Sequence, residues 1–254
     1  MRPYILAESN WKDLKDQPVD LAVLPWGATE AHNYHLPYAT DNYQVEALAA
    51  EAGKLTWDQG VKVSILPVVP FGVNTGQPDI KLDLNLNPST QMVILRDIIT
   101  VLNRQGIHKL LVLNGHGGNN FKPLLRELGL EFPNMFLSLC NWFQIAKSDV
   151  QFQEGGDHAD EMETSLMLYL KPELIRPLNE AGDGHEKKSV ITGIREGWAW
   201  SEREWSKVSA DTGIGNPKHS TRTKGEEIFR VVSKKLASLI TEIANMDLDN
   251  KYTE

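Results

Sequence analysis

Short apolar runs alternate with longer amphipathic segments along the first two thirds of the chain. The apolar runs cover residues 21–24, 63–69, 110–113 and 135–139, and turn residues such as Pro, Gly and Asn follow them. Runs of this length and composition, bounded in this way, are typical of strands buried in a sheet. The pattern therefore predicts four buried strands.

Between and after these runs, apolar residues recur at helical spacing. This spacing predicts helices over residues 42–58, 88–105, 119–131, 160–170 and about 222–246. Strands that alternate with helices in this way form a mostly parallel sheet whose two faces are covered by helices. The sequence thus predicts an α/β fold, and ligand sites in such folds lie beyond the carboxyl ends of the strands.

Residues 178–220 differ from the rest of the chain. They are rich in glycine, tryptophan and charge, and they show little periodicity. A segment of this length without regular structure is more often functional, or part of an interface, than a simple connection. Its Trp198, Trp200 and Trp205 could line a pocket, but anchoring an interface or a local core is the favoured interpretation.

The composition is that of an ordinary globular protein: of 254 residues, 41% are hydrophobic and 24% are charged. This length fits one large α/β domain or two small ones. A net charge of −8 argues against nucleic acid or an anionic membrane as partner. The single cysteine, Cys140, excludes an internal disulfide, and neither a signal peptide nor an apolar stretch of about 20 residues is evident. We expect a soluble, cytoplasmic protein.

A first cluster of chemically active side chains follows the strand predicted at 21–24. Within twelve residues it contains Glu30, His32, His35 and Asp41. Histidine nitrogen and carboxylate oxygen are ligands that zinc and similar metals accept. Glu30 and His32 are two residues apart and would project to the same side of an extended backbone. The cluster favours a metal site, although Asp41 could equally cap the helix that begins nearby.

A second cluster centres on His116, in the turn Asn-Gly-His-Gly-Gly-Asn-Asn that follows the strand predicted at 110–113. Glycine on both sides permits unusual backbone angles and the close approach of a ligand. The next helix offers free N–H groups at its start, which suit a developing anion. A glycine-rich turn with a solvated histidine is the alternative, whereas a phosphate loop would need a lysine that is absent here.

The third cluster, His158, Asp160, Glu161 and Glu163, surrounds the start of the helix predicted at 160–170. Acidic residues in the first helical turn are favoured by the helix dipole, which accounts for Asp160 and Glu161 without any catalytic role. Glu163 lies further inside the helix and gains less from the dipole, so it is a candidate ligand. His158 precedes the helix on a glycine-rich stretch and could carry a proton near neutral pH.

The three clusters together resemble the creatininase (creatinine amidohydrolase) family. The shared pattern is Glu-x-His with an Asp eleven residues after the Glu, then the NGHxxN turn, then a His followed five residues later by Glu-Thr-Ser. A closing glycine-rich motif at residues 211–217 extends the likeness over most of the chain. The resemblance implies a three-layer α/β/α sandwich with a mostly parallel central sheet, formed by one creatininase-like domain over residues 1–254. It also implies a two-metal centre and assembly into homo-oligomers, often hexamers.

By position, the resemblance implies that Glu30 and His116 bind one metal, that His32 binds the other and that Asp41 bridges both. His158 matches the histidine that passes a proton to the leaving nitrogen. The implied cofactors are two divalent metal ions, zinc with manganese, zinc or iron in the second site. Two metals about 3.5–4 Å apart can hold a bridging hydroxide and polarise a carbonyl. The predicted substrate-binding residues are Trp142, Gly117 and Asn119.

Two positions depart from creatininase itself. Creatininase has a metal-binding glutamate two residues after the histidine of its NGH turn, where this chain has Gly118. Glu163 is the first candidate to replace that carboxylate, and Glu161 is the second. Creatininase also has a tryptophan four residues before its proton-carrying histidine, where this chain has Glu154. These changes lie in the substrate shell more than in the metal core, and they argue against creatinine as the substrate.

The sequence therefore predicts an enzyme, a metal-dependent amidohydrolase that acts on a non-peptide C–N bond of a cyclic or small amide. In this prediction a metal-bound hydroxide attacks the carbonyl and His158 protonates the leaving nitrogen. Small-molecule amides are the expected partners. The alternatives are a peptide-trimming metalloprotease, a non-hydrolytic metal-binding member of the same family, and a plain α/β domain with scattered acids and histidines.

Overall fold

Four parallel strands form the central sheet of the computed structural model, which describes residues 2–252. The strands are β1 (Leu21–Trp26), β2 (Val63–Ile65), β3 (Lys109–Asn114) and β4 (Phe136–Asn141). They pair in the order β2-β1-β3-β4, and Ala22 lies opposite Leu110 in the central pair. The predicted parallel sheet is confirmed.

The second strand is shorter than the apolar run that predicted it. Its pairing with β1 extends from Val63 to Ile65, whereas the run continues to residue 69. Pro67 has no N–H to donate to a ladder, and Val69 returns to the sheet only as an isolated bridge to Trp26. The strand prediction over 63–69 is therefore wrong in its second half.

Helices connect and flank the strands. The α-helices are α1 (Trp11–Leu14), α2 (Thr40–Trp57), α3 (Pro88–Arg104), α4 (Phe121–Glu131), α5 (Trp142–Asp149), α6 (Glu161–Leu170), α7 (Thr192–Arg195), α8 (Trp205–Val208) and α9 (Arg222–Asn245). Short 3-10 helices lie at Leu6–Glu8, Pro172–Leu174, Leu178–Glu180 and Pro217–His219. The five helices predicted from the sequence are confirmed as α2, α3, α4, α6 and α9. Residues 178–220 contain only short turns of helix, as their lack of periodicity indicated.

Each face of the sheet has its own hydrophobic cluster, because alternate residues of a strand point to opposite faces. On one face, Val23 and Leu111 pack among side chains of α2, α5, α6 and α9. On the other face, Leu24 and Val112 pack against α3 and α4. The observed architecture is therefore the predicted three-layer α/β/α sandwich.

The extent of the domain stays a prediction. It was predicted to run over residues 1–254, and Met1, Thr253 and Glu254 lie outside the described residues. Within residues 2–252, no helix combines the length and the apolar character needed to cross a membrane.

Helices α6 and α9 pack so closely that Gly225 of α9 has no room for a side chain. A β-carbon at that position would lie 1.9 Å from the backbone oxygen of Ser165 in α6. Because this backbone cannot rotate aside as a side chain can, Gly225→Ala must separate the two helices. We expect it to lower the free energy of unfolding by about 2 kcal/mol or more, measured by urea denaturation.

Gly129 in α4 provides a matched control, since a β-carbon there meets no atom within 4 Å. Gly129→Ala should be neutral or stabilising by up to about 1 kcal/mol, because alanine is the better helix former. Equal free energies of unfolding for the two variants would contradict the close packing of α9 on α6.

Candidate metal centre

Six titratable side chains meet at one buried position beyond the carboxyl ends of β1 and β3. They are the carboxylates of Glu30, Asp41 and Glu163 and the imidazoles of His32, His116 and His158. None of the six residues is more than 8% exposed. Burial of so many ionisable groups is costly unless they are paired or bind a metal.

The loops after two neighbouring strands position three of these side chains, and the start of α2 positions a fourth. Because β1 and β3 are adjacent and parallel, the loops after them meet: Glu30 and His32 follow β1, and His116 follows β3. Asp41 lies in the first turn of α2, where the helix dipole favours a carboxylate. The N-cap residue of α2 is Ala39, so the alternative role of Asp41 as the cap is not observed.

The start of α6 contributes His158 and Glu163. Asp160 is the N-cap of this helix, and its Oδ1 accepts hydrogen bonds from the backbone N–H groups of Met162 and Glu163. Ala159, which lies between His158 and Asp160, has a left-handed backbone conformation with φ of 51°. Its N–H donates to Glu163 Oε2 at 2.5 Å. Asp160 is therefore structural, while the residues on either side of this turn face the cluster.

Asp41 lies between two groups of side chains. Its Oδ2 is 3.2 Å from His116 Nδ1, which is also 2.9 Å from Glu30 Oε1. Its Oδ1 is 3.1 Å from His32 Nε2, which is also 3.9 Å from Glu163 Oε2. Each group gathers ligand atoms within 4.8 Å of one another, which is close enough for one cation. The arrangement therefore offers two ligand sets that share one carboxylate.

Each histidine of the cluster directs one ring nitrogen to a backbone oxygen and the other to the carboxylates. His32 Nδ1 lies 3.1 Å from the backbone oxygen of Glu30, and His116 Nε2 lies 3.0 Å from that of Val73. His158 Nε2 lies 2.8 Å from the backbone oxygen of Ala31. Such contacts fix the tautomer and the orientation of histidines that bind metals.

Two carboxylate oxygens of the cluster, Glu30 Oε1 and Asp41 Oδ2, are buried and accept no well-formed hydrogen bond from any described residue. His116 Nδ1 lies close to both, and its ring proton is placed on the other nitrogen by the contact with Val73. When the ring of His116 is neutral, three lone pairs therefore converge on one place. A divalent cation satisfies such a donor set, so the residues present fit a bound metal.

Protons occupy the cluster when no cation is bound. Burial opposes the charged form of His32, but the carboxylates of Asp41, Glu163 and Glu30 outweigh it and raise its pKa to about 10. For His116, Glu30 and Asp41 likewise outweigh burial and raise the pKa. Burial raises the pKa of Glu163 to about 8. A metal that bound here would therefore displace protons from these side chains.

The metal-free protein is expected to lose stability between about pH 6.5 and 8. In this range the folded state keeps protons on Glu163, His32 and His116 that the unfolded chain has already released. Stability falls with rising pH wherever the folded state holds more protons, by up to about 1.4 kcal/mol per pH unit for each such group. Thermal unfolding in a chelating buffer measures this slope.

Saturating zinc provides the control, because the cations displace the same protons before the pH is raised. The slope should then largely disappear. A melting temperature that stays constant across this range in the chelating buffer would contradict the predicted protonation.

Gln77 adjoins the cluster and holds one of its carboxylates. Its Nε2 donates to Glu30 Oε2 at 2.6 Å, and the residue is 5% exposed. Because Glu30 Oε2 is engaged by this bond, Oε1 is turned toward His116. Groups that orient metal ligands in this way affect metal affinity although they do not touch the metal.

Gln77→Leu is expected to weaken metal binding by about 10- to 100-fold, because Glu30 then loses the bond that orients it. Isothermal titration of the metal-free protein with zinc measures the change. Gln105→Leu is the matched control, since Gln105 is an exposed residue at the end of α3. Equal zinc affinities for the two variants would contradict the orienting role of Gln77.

Glu161 points away from the cluster. Its carboxylate pairs with Lys224 of α9 and accepts hydrogen bonds from the backbone N–H groups of Gln153 and Glu154. Of the two candidates for the missing carboxylate, only Glu163 lies beside His32. Glu161 instead ties the loop before α6 to α9.

The predicted substrate-binding residues lie in three different settings. Trp142 is fully buried in the hydrophobic cluster beneath α9, and its Nε1 has no hydrogen-bond partner among residues 2–252. Gly117 is exposed at the tip of the turn after β3. The side chain of Asn119 bonds to Asn114, Gln91 and the backbone of Val73, so it holds the turn together. Contact of these residues with a substrate stays a prediction.

The structure explains why residue 118 is glycine. A β-carbon on Gly118 would lie 2.3 Å from the backbone oxygen of Val73 and 2.5 Å from His116 Nε2. A glutamate at this position would therefore break the contact that orients His116. Glu154, at the second position where this chain differs from creatininase, forms an ion pair with Lys218 at 2.6 Å.

Gln77 and Asp83 lie beside the cluster and were missed from the sequence, whereas Trp205 is one of the three tryptophans that could line a pocket by the sequence analysis. Asp83 Oδ1 accepts a hydrogen bond from the N–H of Ala31 at 2.6 Å, and burial raises its pKa to about 6. Trp205 lies against His158, with ring centroids 5.3 Å apart. Gln77 and Asp83 lie in irregular segments without a motif, so no local signal pointed to them.

Comparison with known proteins gives a consistent picture over nearly the whole chain. A sequence model of the creatininase family, described as creatinine amidohydrolase, matches residues 7–240. A crystal structure of a candidate creatinine amidohydrolase from Bacteroides fragilis is 42% identical and superposes with a TM-score of 0.90. The match covers 98% of this chain and 99% of that one.

Curated relatives have different substrates in their names. The mycofactocin precursor peptide peptidase of Mycobacterium ulcerans is 25% identical over 219 residues, which are 82% of this chain and 79% of the relative. The creatinine amidohydrolase of Pseudomonas putida is 25% identical over 194 residues, which are 67% of this chain and 73% of the relative. The names share hydrolysis and differ in the molecule that is hydrolysed.

Proposed function

Because the chain belongs to the creatininase family, we propose that it is a metal-dependent amidohydrolase that cleaves a non-peptide C–N bond of a small or cyclic amide. The observation that carries this proposal is the position of Asp41 between two ligand sets. Glu30 and His116 lie on one side, and His32 and Glu163 lie on the other. A carboxylate shared in this way supports a pair of divalent cations.

The donor types indicate which cations would suit the two sets. Both combine imidazole nitrogen with carboxylate oxygen, a mixture that zinc accepts and that manganese and iron also tolerate. We therefore propose zinc in one set, with manganese, zinc or iron in the other. Cations held there would polarise the carbonyl of an amide and lower the pKa of water.

His158 is the proposed carrier of the proton that the leaving nitrogen needs. Its Nε2 lies 2.8 Å from the backbone oxygen of Ala31, so this nitrogen keeps its proton. Its Nδ1 lies on the side of the cluster, 3.7 Å from Glu30 Oε1. Burial, aided by the charge of His32, lowers the pKa of the ring. A neutral ring of this orientation can accept a proton at Nδ1 and pass it on.

A panel of substrates tests the proposed activity. Protein purified without chelator is analysed for bound metal and then assayed, with added zinc or manganese, on cyclic amides, linear amides, formamides and short peptides. Turnover of small amides by protein with two cations per chain is the expected result. Full turnover by the metal-free protein, or a metal-loaded protein that cleaves none of these bonds, would refute the proposal.

Peptide trimming is the second candidate function. The name of the Mycobacterium ulcerans relative, a peptidase matched over most of both chains, favours it. The same ligands serve either reaction, because a peptide bond is also an amide. If the protein cleaves the peptides in the panel and none of the small amides, peptide trimming is favoured over hydrolysis of small amides.

Assembly into a homo-oligomer, up to a hexamer, is proposed from the family resemblance. Light scattering coupled to size-exclusion chromatography measures the number of subunits. A monomer at micromolar concentration would contradict it.

A further inference from the structure

Trp205 lies against the ring of His158, although the two residues are far apart in the sequence. Their ring centroids are 5.3 Å apart, and the ring planes are nearly perpendicular, at 85°. The ring of His32 also contacts His158, with centroids 4.1 Å apart. The proposed proton carrier therefore lies between one of the proposed ligands and an aromatic side chain from the segment 178–220.

Trp205 is itself held in place by its neighbours. Its Nε1 donates to the backbone oxygen of Thr212 at 2.9 Å, and its backbone N–H donates to that of Gly76 at 2.9 Å. The guanidinium group of Arg203 lies over the indole, 5.1 Å from its centre, and also donates to Asp157 at 3.2 Å. These contacts come from separate segments of the chain, so the indole is held in one position.

Apart from packing on His32 and Trp205, the ring of His158 is restrained by a single hydrogen bond among the described residues. Its backbone forms a bridge with Ile214, in which each residue donates one hydrogen bond to the other. Its ring makes one hydrogen bond to the described residues, from Nε2 to the backbone oxygen of Ala31. A ring held at one atom can still swing about that atom, and an aromatic side chain packed beside it limits this movement.

We propose that Trp205 is a positioning residue for His158, which keeps Nδ1 of the histidine directed at the reacting atoms. This inference rests on the proposed hydrolysis, in which His158 carries the proton. A misdirected proton carrier slows the chemical step and leaves substrate binding nearly unchanged. The effect of Trp205 is therefore on kcat and not on KM.

Two substitutions separate positioning from other roles. In the metal-loaded enzyme, Trp205→Ala should lower kcat by about 10- to 100-fold while KM changes less than about threefold. Trp205→Phe keeps an aromatic ring beside His158 and should restore most of kcat, although it loses the bond to Thr212. Trp200→Ala is the matched control, because Trp200 lies in the same segment and is 82% exposed. It should behave as the unaltered enzyme, and all variants should keep their bound metal.

A second measurement does not depend on turnover. Diethyl pyrocarbonate modifies accessible histidines, and mass spectrometry gives the rate at each one in the metal-free protein. His158 is only 6% exposed when Trp205 covers it. We expect Trp205→Ala to increase the rate at His158 several-fold and Trp205→Phe to leave it nearly unchanged.

Four results would overturn the proposal: an unchanged kcat in Trp205→Ala, a rise in KM alone, equal losses in the Ala and Phe variants, or a loss of bound metal. An unchanged modification rate at His158 in Trp205→Ala would also overturn it. If the unaltered enzyme cleaves no amide or peptide, the proposed function fails. The modification rates then still decide whether Trp205 holds His158.

Discussion

Asp41→Asn is expected to remove most of the bound metal and to lower hydrolysis by about a thousandfold or more. The two oxygens of Asp41 face two different histidines, at 3.1 Å from His32 and 3.2 Å from His116. Asparagine keeps the shape of the side chain but removes its charge and replaces one acceptor oxygen by a donor. Both ligand sets lose a member at once, so the effect should exceed that of replacing any other ligand.

Metal analysis and the amide assay measure this loss directly. Asp58→Asn is the matched control, because Asp58 ends the same helix and pairs with Lys54 at the surface. It should keep full metal content and activity. An Asp41→Asn protein with two cations and normal turnover would show that Asp41 does not bridge the two sets.

Removal of the metal should lower the melting temperature of the protein by roughly 10 °C or more at pH 8. A cation present at about a thousand times its dissociation constant stabilises the folded state by about 4 kcal/mol. For a chain of this size, each kcal/mol shifts the melting temperature by roughly 2–4 °C.

Differential scanning fluorimetry with and without a strong chelator measures this shift, and added zinc or manganese should reverse it. Asp41→Asn serves as the control, because its melting temperature should no longer respond to the chelator. A chelator effect of the same size in this variant would place the stabilising metal elsewhere in the protein.

The regular elements were largely predictable because their signals are local. The helix over 222–246 has an apolar stripe at helical spacing, and the observed α9 begins and ends within one residue of that prediction. The error at 63–69 has the opposite origin. An apolar run indicates packing against the core and not pairing in a sheet. Leu66, Val68 and Val69 still pack, partly buried, against the hydrophobic clusters, so the run continued after the strand had ended at Ile65.

The choice between Glu161 and Glu163 could not be made from the sequence. Two positions apart on a helix, the two side chains point in nearly opposite directions, so only one of them can face the cluster. Because α6 is buried on several sides, the periodicity of its residues does not show which of the two directions faces the cluster. Because α6 packs against α9, Glu161 forms an ion pair with Lys224, while Glu163 lies beside His32.

The amino-acid sequence was enough to predict the layered α/β architecture and the short motifs that supply Glu30, His32, Asp41 and His116. It could do so because periodicity and turn chemistry act over a few residues, and because loops after adjacent parallel strands must lie at the same edge of the sheet. The more distant groups that contact the site became visible only in the folded chain. Gln77 reaches Glu30, and Trp205 reaches His158, through contacts between segments that share no local pattern. Such contacts depend on how whole segments pack, and no single stretch of sequence encodes them.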